Sequence, residues 1–277
     1  MELELTHRNK IGQVAYNLKG IATVTRQKYL TASEKGPWAN SYDRWRNDNL
    51  TNRYQGVQFG YTSAGRYTSW NDIWSYPGYK ERDILPGDYK YEDWNGDGEI
   101  NGQDEHPFAF DQTPWLQFSL NAGLQWKNFD FNMLLQGSAL GSMEYKEPLH
   151  EIWGKNGGGA LTQFLDRWHP VDPKADPYDP STVWTSGHYA YTGRWAKNNS
   201  AFNRVSTAYL RLKSIELGYT FPKLKQIPNA SLRVYANAYN LLTFTGVKFV
   251  DPEHPDDDLG RMYPLNKTYT LGVSLSF

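Results

Sequence analysis

The sequence predicts an all-β chain: antiparallel strands of a large transmembrane β-barrel, joined by tight turns at one end and long loops at the other. Three observations support this. Apolar and polar residues alternate with period 2 in several stretches, while helical periodicity is weak. Short and long connections alternate strictly along the chain, as the two rims of an outer-membrane barrel require. Aromatic residues make up 16% of the 277 residues, with 20 Tyr, 11 Trp and 24 Gly, in a chain only 39% hydrophobic. That bias favours strands and turns.

Taken in order, residues 2–8 form a short first strand and 9–12 a turn. In 13–24, Val14, Tyr16, Leu18, Gly20, Ala22 and Val24 share one face, with Gln13, Asn17, Lys19 and Thr23 on the other. The long polar segment 26–113 follows. Phe118, Leu120, Ala122, Leu124 and Trp126 then oppose Gln117, Ser119, Asn121, Gly123 and Gln125. Lys127-Asn128 reads as a two-residue hairpin turn. Beyond it, Phe129, Phe131, Met133 and Leu135 alternate with Asp130, Asn132 and Gln136.

After the segment 141–207, the run 210–221 carries Ile215, Leu217, Tyr219 and Phe221 on one face. Leu210 and Leu212 have the opposite parity, which predicts a β-bulge near Lys213-Ser214. A Pro-rich turn over 222–229 leads to a strand over 232–242. After 245–266 the chain ends on Tyr269, Leu271, Val273, Leu275 and Phe277, alternating with Thr270, Gly272, Ser274 and Ser276.

Most of these strands are close to the length of a tilted membrane strand. The apolar face suits lipid and the Gln, Asn, Lys, Thr and Ser face a wet lumen. A soluble sheet with one buried face gives the same alternation; the alternating loop lengths favour the barrel. Seven strands left open in lipid would strand unpaired N–H and C=O groups. The expectation is therefore the C-terminal part of a larger barrel. Met1 opens on Glu2-Leu3-Glu4-Leu5-Thr6 with no signal-peptide pattern, which fits a missing N-terminal part. The segments 26–113, 141–207 and 245–266 would be extracellular. They hold Trp38, Trp45, Trp70, Trp74, Trp94, Trp153, Trp168, Trp184 and Trp195. Each of these is expected to pack loop on loop more readily than to stack on a sugar.

Lys plus Arg total 29 against 30 Asp plus Glu, a formal net charge of −1. This excludes a nucleic-acid binder held by bulk positive charge. Without cysteine, disulfide scaffolds, Cys-ligated zinc, iron–sulfur clusters and thiol catalysis are excluded as well. No run approaches the ~20 apolar residues of a membrane helix. The common hydrolase, zinc-protease, P-loop and dinucleotide motifs are missing, and an enzyme is not expected. One motif carries metal chemistry. In the run from Asp93 to Asp104, Asp93, Asn95, Asp97 and Asp104 offer side-chain oxygens and Glu99 its carbonyl at EF-hand spacing. Gly98 permits the bend and Ile100 anchors the loop. Calcium is the expected ion, although Asp104 is shorter than the usual closing Glu. An Asx-rich turn without metal is the alternative.

The order of several runs resembles the SusC/RagA family of TonB-dependent outer-membrane transporters of Bacteroidetes. These are Leu85-Pro86-Gly87-Asp88 with the Asp93–Asp104 loop, Arg167-Trp168-His169-Pro170, and the run from Tyr209 to Tyr219. Further on come Asn240-Leu241-Leu242-Thr243-Phe244-Thr245, Asp251-Pro252-Glu253, Tyr263-Pro264 and the terminal run from Leu271 to Phe277. The resemblance covers essentially the whole chain. It implies a barrel of about 22 strands, occluded by an N-terminal plug, in the outer membrane. It further implies import of glycans or peptides, energy from the TonB complex and a SusD-like surface lipoprotein as lid. Phe277 would be the C-terminal signal for barrel assembly. The alternative is a soluble secreted carbohydrate-binding β-protein with a calcium-stabilised loop.

Overall fold

A computed structural model describes residues 1–32, 36–45, 51–77, 84–152, 160–193, 196–197, 199–222, 230–253 and 262–277. Seven long strands form one antiparallel sheet, each strand pairing with its sequence neighbours. They are β1 (Glu2–Ile11), β2 (Val14–Val24), β3 (Leu116–Trp126), β4 (Phe129–Ala139), β5 (Tyr209–Phe221), β6 (Ser231–Thr245) and β7 (Thr268–Ser276). The first strand is longer than the expected 2–8, and its turn tightens to residues 12–13, where Gly12 takes a left-handed φ of +60°. Lys127, also left-handed, turns β3 into β4 as expected. Most of the Pro-rich turn, Trp153, Trp195 and His254 lie outside the described residues.

The register sorts the sheet into two chemically distinct faces. One row across it is Leu18, Ala122, Met133, Ile215, Ala238 and Tyr269. A neighbouring row on the other face is Asn17, Gly123, Asn132, Glu216, Asn237 and Thr270. The predicted bulge is present: the register of β5 slips between Leu212 and Ser214 against both β4 and β6. Because Lys213 is the extra residue, Leu210 and Leu212 join Ile215 and Leu217 on the apolar side. The parity conflict in the sequence is thereby resolved.

The hydrophobic core lies away from the sheet. Buried apolar side chains are concentrated in the long connections, among them Tyr61, Tyr67, Leu85, Tyr91, Ile100, Met143, Phe164 and Tyr189. Tyr61, Tyr91 and Ile100 form one cluster, closed by Tyr76, Tyr89 and Phe202; Ile152, Phe164 and Tyr189 form another. Short strand pairs stitch this layer: 58–60 with 106–109, 63–66 with 89–91, and 142–144 with 204–206. The long connections therefore form a packed layer at one end of the sheet. The apolar face of the sheet stays open, with Leu120 39%, Leu217 53% and Leu271 84% exposed. A soluble protein buries such a face; one this continuous marks contact with lipid or a partner.

Candidate functional site

The polar face and the loop layer above it make the candidate site. Towards the loop end, β2–β5 and the segment from Pro252 to Glu253 enclose a groove of about 560 Å³. Thr23, Gln117, Ser119, Gln136, Ser138, Tyr209 and Glu253 line it with hydroxyls, amides and one carboxylate. Beside it Arg211, only 1% exposed, lies on the same face. It donates to Asp251 at 2.6 Å, Glu253 at 2.5 Å and Thr243 Oγ1 at 3.0 Å, while the Tyr209 hydroxyl donates to Glu253 at 2.8 Å. This fork pins the last long connection onto the sheet. At the turn end, Arg233 bridges Asp130 and Glu216 across β4, β5 and β6.

The loop from Asp93 to Asp104 folds as a closed turn. Asp93 accepts from the backbone N–H groups of Gly96 (2.8 Å), Asp97 (3.2 Å) and Gly98 (2.9 Å). Asn95 accepts from Asp97 N–H and donates to the Asp97 carboxylate at 2.9 Å. That amide and the Glu99 N–H hold the Asp97 carboxyl below the usual carboxylate range. Asp104 is fully buried and accepts from Trp94 N–H at 2.9 Å and Asn101 N–H at 2.7 Å. Ile100 anchors the turn in the Tyr61 cluster, and Trp94 stacks on His106 at 3.7 Å. The structure thus gathers Asp93, Asn95, Asp97 and Asp104 in one turn, with Glu99 joined through its N–H. Among the described residues no three acidic or His side chains converge as a metal group. These side-chain oxygens accept backbone N–H groups, as in an Asx-rich turn.

The Pro86-Gly87-Asp88 run is a tight turn packed against a second loop. Gly87 has φ +91°, and an added Cβ would sit 2.7 Å from Trp168 Cδ2. Asp88, 2% exposed, accepts from Leu85 N–H at 2.8 Å and from Thr192 Oγ1 at 3.2 Å. Phe277 lies one residue past the end of β7 and is exposed. Sequence reasoning missed the Arg211 fork. Its only signal was an Arg on an otherwise hydroxyl-rich face, and its partners are 32 to 42 residues away.

No protein-family model matches the chain. Among curated proteins it is similar to two TonB-dependent receptors of Formosa agariphila. One is 28% identical over 211 residues, 70% of this chain and 19% of that protein. The other is 27% identical over 239 residues, 81% of this chain and 22% of that protein. It is also similar to the TonB-dependent receptor SusC of Bacteroides thetaiotaomicron, 26% identical over 210 residues, 75% of this chain and 19% of that protein. The chain thus spans about a fifth of the length of these relatives. In fold it is similar to a chain of the RagAB peptide transporter, with a TM-score of 0.60 at 19% identity, covering all of this chain and 29% of that one.

Proposed function

We propose that the chain is the C-terminal barrel portion of an outer-membrane importer of glycans or peptides, of the SusC/RagA type of TonB-dependent receptor. The observation that carries the reading is a sheet with an open apolar face on one side and a polar groove on the other. Its end strands, β1 and β7, each pair on one side only. In lipid those edges need further strands, so the barrel closes with strands contributed from elsewhere, around a plug. The apolar face meets lipid and the polar face the lumen.

The segments 26–113, 141–207 and 245–266 lie outside the cell in this reading. They form the rim on which a SusD-like surface lipoprotein seats. The TonB complex acts through the plug side. Passage is gated and no bond is made or broken. A soluble carbohydrate-binding protein would leave the open apolar face unexplained.

Disrupting the gene that encodes this chain should abolish uptake of one labelled oligosaccharide or peptide class. Collapsing the proton gradient with a protonophore should abolish the same uptake. Uptake that survives both would overturn the importer reading.

Calcium in the Asp93–Asp104 loop remains a proposal on residue type and spacing. It predicts that adding calcium after chelation changes the fluorescence of Trp94. An unchanged signal would leave a metal-free turn.

A further inference from the structure

Beside the groove, a pair of fixed donors holds one of the protein's own carboxylates. Arg211 turns both terminal nitrogens to the last long connection, Nη2 to Asp251 at 2.6 Å and Nη1 to Glu253 Oε2 at 2.5 Å. Its Nε donates to Thr243 Oγ1 at 3.0 Å, which orients the guanidinium. The Tyr209 hydroxyl donates to the other Glu253 oxygen at 2.8 Å. Two donors thus meet the two oxygens of one carboxylate, with charge assistance from one of them.

Donors and occupant differ in how firmly they are held. Tyr209 is 7% exposed and Arg211 1%, and both belong to β5. Asp251 and Glu253 keep 25% and 41% of their side chains in water. They sit on a strap, residues 247–253, whose near end is tied at Lys248. The Lys248 N–H and carbonyl both bond the Tyr145 hydroxyl at 2.9 Å. Between Lys248 and the fork, Phe249 has φ +72°, a conformation that a bulky side chain adopts only at a cost. The closed strap is therefore strained, and its far end, Pro252 and Glu253, walls the groove.

A buried guanidinium does not readily give up its partners, because an unpaired charge away from water is strongly unfavourable. Exchange avoids that penalty. A carboxylate arriving through the groove replaces Glu253 charge for charge, and the displaced side chain returns to water.

We propose that Tyr209 and Arg211 form a carboxylate-binding site that Asp251 and Glu253 keep shut, and that a carboxylate-bearing ligand opens it by displacing the strap. Thr23, Gln117, Ser119 and Gln136 line the groove and offer hydroxyls and amides to the rest of that ligand. A peptide C-terminus and an acidic sugar present the same pair of oxygens. The site rests on the importer reading for its use in passage; binding and strap release need no transport.

The test uses the intact outer-membrane protein in detergent and isothermal titration calorimetry. Tetraalanine and trigalacturonate are the carboxylate probes; tetraalanine amide and maltotriose are their neutral counterparts. At least one carboxylate probe should bind, with its counterpart about tenfold weaker or more. Which one binds separates the peptide source from the sugar. Glu253→Gln keeps the shape and removes the competing charge, so the same probe should bind about three- to tenfold tighter. A fork that only fastens the loop gives no such gain. Arg211→Lys should bind about tenfold weaker or more, since an ammonium cannot fork. Bound probe should also speed cleavage by Glu-C protease after Glu253 in the parent protein, a readout that needs no variant to fold.

Binding of no carboxylate probe, equal binding of its neutral counterpart, Glu253→Gln no tighter than the parent, or cleavage that bound probe does not speed would each overturn the proposal. Uptake is read separately. Carboxylate-driven strap release without TonB-dependent uptake defeats the importer reading and leaves the site standing. TonB-dependent uptake with none of these binding effects defeats the site and leaves the importer.

Discussion

At Gly218 an added Cβ would lie 2.6 Å from Asp130 Oδ1 and 2.7 Å from Arg233 Nε. A glycine between them is what lets the Arg233 side chain cross β5 to reach Asp130 and Glu216. Arg211 performs the matching task at the loop end, where it is nearly inaccessible and its two carboxylate partners are partly solvated. Because those carboxylates retain water, removing the guanidinium costs a charged hydrogen-bond set and leaves them hydrated. Arg211→Ala should therefore destabilise the barrel by about 1.5–3 kcal/mol. Arg211→Lys should recover only part, since an ammonium cannot fork to two carboxylates. Denaturant midpoints measure both, with proteolysis at residues 251–253 as the local readout; an unchanged midpoint in Arg211→Ala would refute the fork's role. Neither network was legible in the sequence, because both depend on residues distant along the chain that only strand pairing brings together. The Asp93–Asp104 turn was legible, since its hydrogen bonds span ten residues or fewer.

At the scale of the strand, facing is the property that matters. Leu120 and Asn121 sit side by side near the middle of β3, the first on the apolar face and the second on the polar one. An Arg on the lipid face at mid-membrane costs about 2–4 kcal/mol, whereas lumen positions accept charge. Leu120→Arg should therefore lower the amount of folded protein in the outer membrane, and Asn121→Arg should leave it near the parent level. Equal insertion of the two variants would show that the apolar face does not meet lipid. The bulge at Lys213 belongs to this scale too. It was readable from sequence because a parity slip of one residue leaves Leu210 and Leu212 visibly out of phase with Ile215. The accompanying irregularity in β6, where Asn240 has φ +52°, has no such signature, since Leu242 and Val234 keep the same parity.

Across the whole molecule, the sheet and the loop layer divide the work of a barrel. The sheet presents one apolar and one polar face, while the long connections supply their own core. Two-sided closure is the remaining requirement, and Phe277 is proposed to guide it. Deleting Phe277 in the intact protein should reduce insertion into the outer membrane, read as heat-modifiable folded protein in the membrane fraction. Unchanged insertion would remove that role.

The amino-acid sequence alone determined the strands, their facing, the bulge and the division into tight turns and long connections. All of these are local: period-2 alternation and turn chemistry are written within a dozen residues. Only the tertiary structure decided that the apolar face stays open, which separates a lipid-facing sheet from a soluble one. It likewise decided that the long connections pack into a layer around Tyr61, Tyr91 and Phe164. Within that layer some hydrogen bonds join residues about a hundred positions apart, as Thr192 to Asp88 and Lys197 to Tyr91 do. Residue spacing carries no trace of such pairs; they exist because the strands bring the loop ends together and the aromatic side chains then exclude water among themselves.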